Sequence, residues 1–277
     1  MTLAQRNIYF KAGIFLSACY ILLLLALTGK LFPLLPEYSE AALSRPEGFF
    51  QSLAGRFFTS VPAVPLVTVF AAVFYTLFVS IVILISFEKT QAPEILFFSL
   101  FALSFSFEIV RIMAPLKGLF ELSPVMLIVG TRILIFFRLF GTVALFISSV
   151  FAAGLEVQKQ GRVIIGIIIA ILMVSFKIPV NGFSWDTSFT MLFAYSTMFR
   201  FAEIILIVIT GMSFLIAAYS RGTGNYRLVA LGSLLVFFGR NLLFKADTWF
   251  VPFPALGMLI IGTWLIVSRL HQVYLWL

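Results

Sequence analysis

The sequence predicts an all-α, polytopic membrane bundle of about eight helical spans. Of its 277 residues, 62% are hydrophobic and 11% charged, and the apolar residues fall in long runs. Mean hydropathy is +1.12. A water-soluble domain carries about 25% charged residues, so the solvent of this chain is the bilayer. At roughly 20 residues per crossing plus short loops, the chain holds about seven to nine spans. That leaves a single integral membrane domain over 1–277 with no soluble output domain, so any signal would pass through a separate membrane or cytoplasmic partner.

Apolar runs bounded by charge, proline or glycine place the spans near 9–32, 61–87, 94–114, 125–153, 163–179, 190–219, 227–246 and 254–275. The first follows Arg6 and Lys11 and contains Leu16-Ser17-Ala18-Cys19, which looks like a lipoprotein cleavage box. The apolar run continues through Tyr20 to Leu25, whereas a cleaved signal ends its apolar region before the cut. This is read as an uncleaved span.

Between spans one and two, Ser44, Pro46 and Glu47 are helix-start residues. Phe49, Phe50, Leu53, Phe57 and Phe58 then form one apolar stripe. The pattern predicts an amphipathic helix lying in the outer interface, either an anchor or a lid over an outward-facing cavity. Span five is the shortest and ends at Lys177-Ile178-Pro179, because proline stops a helix. Asn181-Gly182 and Gly222 to Asn225 mark turns after spans five and six. Lys245 to Trp249, followed by Pro252 and Pro254, separates spans seven and eight.

Orientation follows the lysines and arginines. With the N-terminus inside, Arg6, Lys11, Lys89, Lys159, Arg162, Arg221, Arg227 and Arg269 are cytoplasmic, and Lys30, Arg45, Arg56, Lys117, Lys177 and Lys245 are outside. Three of the latter, Lys30, Arg45 and Arg56, sit beside or on the long loop, where the rule is weaker. Both termini are therefore expected inside, whereas a seven-span alternative would strand Arg269 and His271 outside. The general character is that of bacterial multi-helix membrane proteins, so a bacterial cytoplasmic membrane is expected. No four-plus-four internal repeat is evident.

Composition also excludes chemistry. One cysteine, Cys19, and one histidine, His271, cannot form an internal disulfide or a His/Cys metal cage, and no cofactor is expected. The net charge of +8 fits cytoplasmic loops better than nucleic-acid binding. Intramembrane hydrolysis lacks its residues, since Asp186 and Asp247 fall in loops and the lone histidine lies at the inner end.

The informative residues are ionisable groups inside the runs: Glu108 and Arg111 on span three, Arg132 and Arg138 on span four, Arg200 and Glu203 on span six, and Arg240 on span seven. Each costs about 2.5–3.5 kcal/mol at mid-helix on the mildest scale. At 1.5 Å per residue, Arg111 lies about 5 Å from the outer end, Glu108, Arg132 and Arg240 about 10 Å, Arg200 about 15 Å, and Arg138 and Glu203 about 20 Å. The inner half reads as almost charge-free.

Ser104, Glu108 and Arg111 share an α-helical face, as do Ser196, Arg200 and Glu203. These patterns allow Glu108 to pair with Arg200 or Arg132, and Glu203 with Arg138 or Arg240. Five arginines against two glutamates leave a surplus of three positive charges, of which Asp247 could absorb one. Shallow Arg111 is the natural snorkeller, while Arg138 and Arg200 are the least able to escape.

Two accounts of these charges stand. Ion pairs can serve only to fix helix packing; alternatively an outward-facing cationic site binds an anionic or zwitterionic ligand or membrane lipid head group, which guanidinium forks suit. The second makes the protein a receptor, sensor or accessory subunit. A transporter for a small anionic or amphipathic substrate and a lipid-modifying enzyme are the alternatives. Thirty-four phenylalanines read as core and lipid-facing filler, and Gly130, Gly141, Gly154, Gly211 and Gly232 as points of close helix contact.

Overall fold

A computed structural model describes residues 3–31, 61, 63–90, 92–155, 158 and 160–275. Eight of its helices are long and apolar enough to cross a membrane, and the chain is a multi-pass integral membrane protein. The helices are α1 (Leu3–Leu31), α2 (Ala63–Phe87), α3 (Pro93–Ser104) continuing through a 3₁₀ stretch (Phe105–Ile112) into α4 (Met113–Phe120), α5 (Pro124–Ala152), α6 (Gln160–Lys177), α7 (Ser196–Ser220), α8 (Asn225–Lys245) and α9 (Pro252–Leu275). The stripe from Ser44 to Phe58 lies outside the described residues.

Helix ends follow local chemistry. Pro124 occupies the first turn of α5, and the Ser123 hydroxyl accepts from the Met126 N–H at 3.4 Å. At the opposite end of the bundle, the Arg6 guanidinium donates to the carbonyls of Phe87, Glu88 and Thr90. It adds a charged donor to carbonyls at the end of α2, where intrahelical partners run out.

The rod α3–3₁₀–α4 is central, with 72% of its most apolar window buried, whereas α6 is peripheral at 17%. Phe97, Phe98, Phe101 and Phe105 of this rod are fully buried. Phe105 packs edge-on to Phe244 of α8, at 5.1 Å between ring centres. The tightest pair is α8 with α9: a Cβ built on Gly232 would stand 2.9 Å from the Gly262 carbonyl, and one on Gly262 2.8 Å from the Gly232 carbonyl. Small residues let these backbones touch, as membrane helices require where no hydrophobic force separates helix from lipid.

Two elements depart from the sequence-based expectation. Span six begins at Ser196, because residues 180–193 form an antiparallel hairpin of β1 (Val180–Trp185) and β2 (Met191–Phe193). Asn181-Gly182 therefore lies within β1, and the turn is at 186–190. There Asp186 and Thr190 exchange a backbone bond of 2.8 Å, and Asp186 Oδ1 accepts from the Thr187 N–H at 2.8 Å. The second departure is the 3₁₀ stretch of eight residues, long for a form that rarely exceeds three or four. Pro115 follows it and has no N–H to offer the Arg111 carbonyl one turn back.

Candidate ligand cavity

At the hairpin end of the bundle, α5, α7, α8 and the hairpin enclose a cavity of about 360 Å³, within the range that holds small molecules or head groups. Its floor is one side of an ion-pair network carried by four elements: Arg138, Glu203 and Arg240 line the cavity, whereas Glu108 and Arg111 do not. In the 3₁₀ stretch, Glu108 and Arg111 are one turn apart and stack on one side, with Arg111 Nη1 3.5 Å from Glu108 Oε2. From α5, Arg138 grips the same carboxylate with both prongs, Nε to Oε1 and Nη2 to Oε2, each at 2.8 Å. Such a planar two-point match combines charge with orientation.

From α8, Arg240 Nη2 donates to Glu203 Oε1 of α7 at 2.8 Å, and Nη1 donates to the Arg138 carbonyl at 3.2 Å. Thr142 lies 3.4 Å from the same Glu203 oxygen. Three aromatic rings surround the Arg240 guanidinium, those of Phe101, Phe237 and Phe244, and Phe244 also faces Arg138 at 5.1 Å. Arg240 packs as close to α5 as it does because Gly141 has no side chain: a Cβ there would collide with the Ser104 hydroxyl and lie 3.4 Å from Arg240 Nη1.

These contacts settle the pairing. Glu203 takes Arg240, one of its two expected partners. Glu108 takes Arg138 and Arg111, neither of which was expected: the 3₁₀ register turns its carboxylate toward α5 at the level of Arg138, away from Arg132 and Arg200. Arg111 is no snorkeller; it is 2% exposed, and its Nε and Nη2 donate to the Ser188 carbonyl, fixing the hairpin turn to the central rod. Arg132 belongs elsewhere. Its guanidinium lies over the Phe176 ring at 5.6 Å, and it does not line the cavity. Arg200 does line the cavity but is exposed. Because α7 starts after the hairpin, Arg200 is about 6 Å and Glu203 about 10 Å into its helix, shallower than expected.

Several lining residues escaped sequence reasoning. Lys245 ends α8, and Asp186 and Thr187 form the hairpin turn; Asp247, expected to absorb one surplus charge, follows α8 and lines the cavity with them. Their charges were legible but were assigned to loops. Counting all of them, Arg111, Arg138, Arg200, Arg240 and Lys245 stand against Glu108, Glu203, Asp186 and Asp247, so the surplus is one positive charge in place of three. Among the described residues, Arg200 and Lys245 form no hydrogen bond or ion pair.

The opposite end is not charge-free. Glu94, fully buried at the start of α3, accepts from the hydroxyls of Tyr274 and Tyr226 and lies 3.8 Å from Arg221. The Ser148 hydroxyl donates to its carbonyl at 2.9 Å. The cluster ties together α3, α5, α7, α8 and α9, and its polar groups are mutually satisfied. Among the described residues, no His/Cys/Asp/Glu group is arranged to hold a metal ion.

No family model and no solved structure matches the chain. Over 78 residues it is 38% identical to an uncharacterized protein of Treponema pallidum (strain Nichols), a stretch covering 28% of this chain and 23% of that protein. The chain thus spans less than a quarter of that relative's length.

Proposed function

We propose that the hairpin-end cavity is an outward-facing binding site for an anionic group, such as the phosphate of a lipid head group, and that the protein acts as a receptor, sensor or accessory subunit to a separate partner. The observation that carries this reading is that Arg200 and Lys245, two exposed cations that form no ion pair among the described residues, line the same cavity as Arg138 and Arg240. A site needed only for helix packing would pair its cations internally, as Glu108 does with Arg138. The lysine and arginine bias of the loops supports placing the hairpin end outside, in a bacterial cytoplasmic membrane.

The test is a thermal-stability titration of purified protein with phosphatidylglycerol in one arm and inorganic phosphate in another. Wild-type protein gains stability in at least one arm, and Arg200→Gln/Lys245→Gln loses the gain while still folding. A full gain in the double variant overturns the anion site.

Transport of an anionic or amphipathic substrate is the second reading. It is favoured by the interruption of span three at the level of Glu108, since broken helices mark many transport sites. Against it stands the buried layer of Phe98, Phe101, Phe105 and Phe237. Uptake into proteoliposomes that depends on Arg200 and Lys245 would select transport; stabilisation without uptake selects binding.

A further inference from the structure

We infer that the cavity is built for a zwitterion carrying a phosphate beside a primary ammonium, the chemistry of a phosphoethanolamine head group. The inference rests on the anion-site reading and deepens it. Its basis is the arrangement of the four rim charges. Arg200, Lys245, Asp186 and Asp247 all line one cavity, yet no ion pair joins either cation to either carboxylate.

The carboxylates instead converge on one neutral group. The Thr187 hydroxyl is 3.3 Å from Asp186 Oδ1 and 3.2 Å from Asp247 Oδ2. A hydroxyl has a single proton, so it donates to one of these carboxylates at a time. Two like charges are thus held beside a shared donor that can satisfy only one of them, an arrangement a cation between them relieves. Asp186 also receives the Thr187 N–H and a 3.5 Å contact from the Ser188 hydroxyl, so the turn fixes its position without neutralising it.

For the two cations the need is reversed. Among the described residues, Arg200 and Lys245, both exposed, have no protein acceptor, and a phosphate supplies acceptor oxygens suited to both. One ligand carrying both charges completes both halves without changing the net charge of the site. A primary ammonium fits the two carboxylates better than a trimethylammonium, because it brings three charged N–H donors to oxygens that otherwise meet only neutral ones. Leu139, Met191, Phe193 and Phe199 supply apolar wall for the carbon chain between.

Native mass spectrometry of the purified full chain, titrated with phosphatidylethanolamine and phosphatidylglycerol, reads the preference directly. Wild-type protein is expected to bind the ethanolamine lipid at least tenfold more tightly. Asp186→Asn/Asp247→Asn keeps an acceptor at each position and so preserves the turn; it should cut the preference below twofold while glycerol-lipid binding persists.

Competition by soluble glycerophosphoethanolamine would identify a water-borne zwitterion as an accepted source, and its failure to compete a lipid-borne one. Equal or tighter binding of the glycerol lipid by wild type, or an undiminished preference in the aspartate variant, overturns the inference. If Arg200→Gln/Lys245→Gln then still weakens binding, the anion site stands alone; if not, both readings fall.

Discussion

Glu108 is the residue on which the floor of the cavity depends. Its carboxylate is 1% exposed and faces two guanidinium groups, so Glu108→Gln leaves Arg111 and Arg138 buried without their counter-charge. Breaking a buried pair from one side costs about 3–5 kcal/mol, to be measured by unfolding in mixed micelles. Arg138→Gln should cost a similar amount, and the double variant less than the sum, because it removes Glu108 and Arg138 together and leaves only Arg111 without its counter-charge. Glu203→Gln is expected to cost less than Glu108→Gln. Its side chain is 17% exposed, and Arg240 keeps the Arg138 carbonyl and three aromatic rings without it.

The presence of these charges was plain from the sequence, since each interrupts an apolar run where a charge is expensive. Their partners were not. Pairing depends on the rotation of each helix, and the 3₁₀ register that brings Phe105, Glu108 and Arg111 into line has a single local sign, Pro115. That Arg111 bonds a backbone carbonyl at Ser188 leaves no trace in residue type.

At the scale of elements, the eight spans were legible from apolar length alone, and their boundaries shift by a few residues through caps and prolines. The hairpin was not legible. Met191-Leu192-Phe193 reads as the start of an apolar helix, and β1 contains the Asn181-Gly182 pair that ordinarily signals a turn. Of the glycines expected at close helix contacts, Gly130, Gly141 and Gly232 are such points and Gly211 only loosely so, whereas Gly154 is exposed beyond the end of α5, at φ +121° with nothing within 4 Å of an added Cβ. Gly141→Ala should destabilise the protein by about 1–3 kcal/mol, because overpacking displaces Ser104 and Arg240. Gly166→Ala on α6, where a Cβ meets nothing within 4 Å, should be neutral or stabilising by about 0.5–1 kcal/mol. Equal effects in thermal or chemical unfolding would mean that α5 does not approach the central rod as described.

For the whole molecule, the even number of spans puts the hairpin at one membrane face and both described chain ends at the other. The orientation proposed from the lysine and arginine bias would make the hairpin face external. In a Cys19→Ala background, a membrane-impermeant maleimide applied to intact cells should label Thr248→Cys, beside the hairpin, and spare Gln272→Cys near the end of α9. The reverse pattern would place the cavity in the cytoplasm and its ligand with it. Between the two faces lies an apolar core with a closed polar cluster around Glu94 at the far end, the arrangement on which the proposal of binding over transport rests.

The most direct test of the cavity is an affinity comparison using phosphatidylethanolamine as the probe, with wild type, Arg200→Gln/Lys245→Gln and, as a control from the opposite face, Arg221→Gln. Loss of at least tenfold in affinity in the cavity variant, with the Arg221 variant within twofold of wild type, is the predicted result. Equal affinities in all three proteins would mean that the unpartnered cations do not form a site.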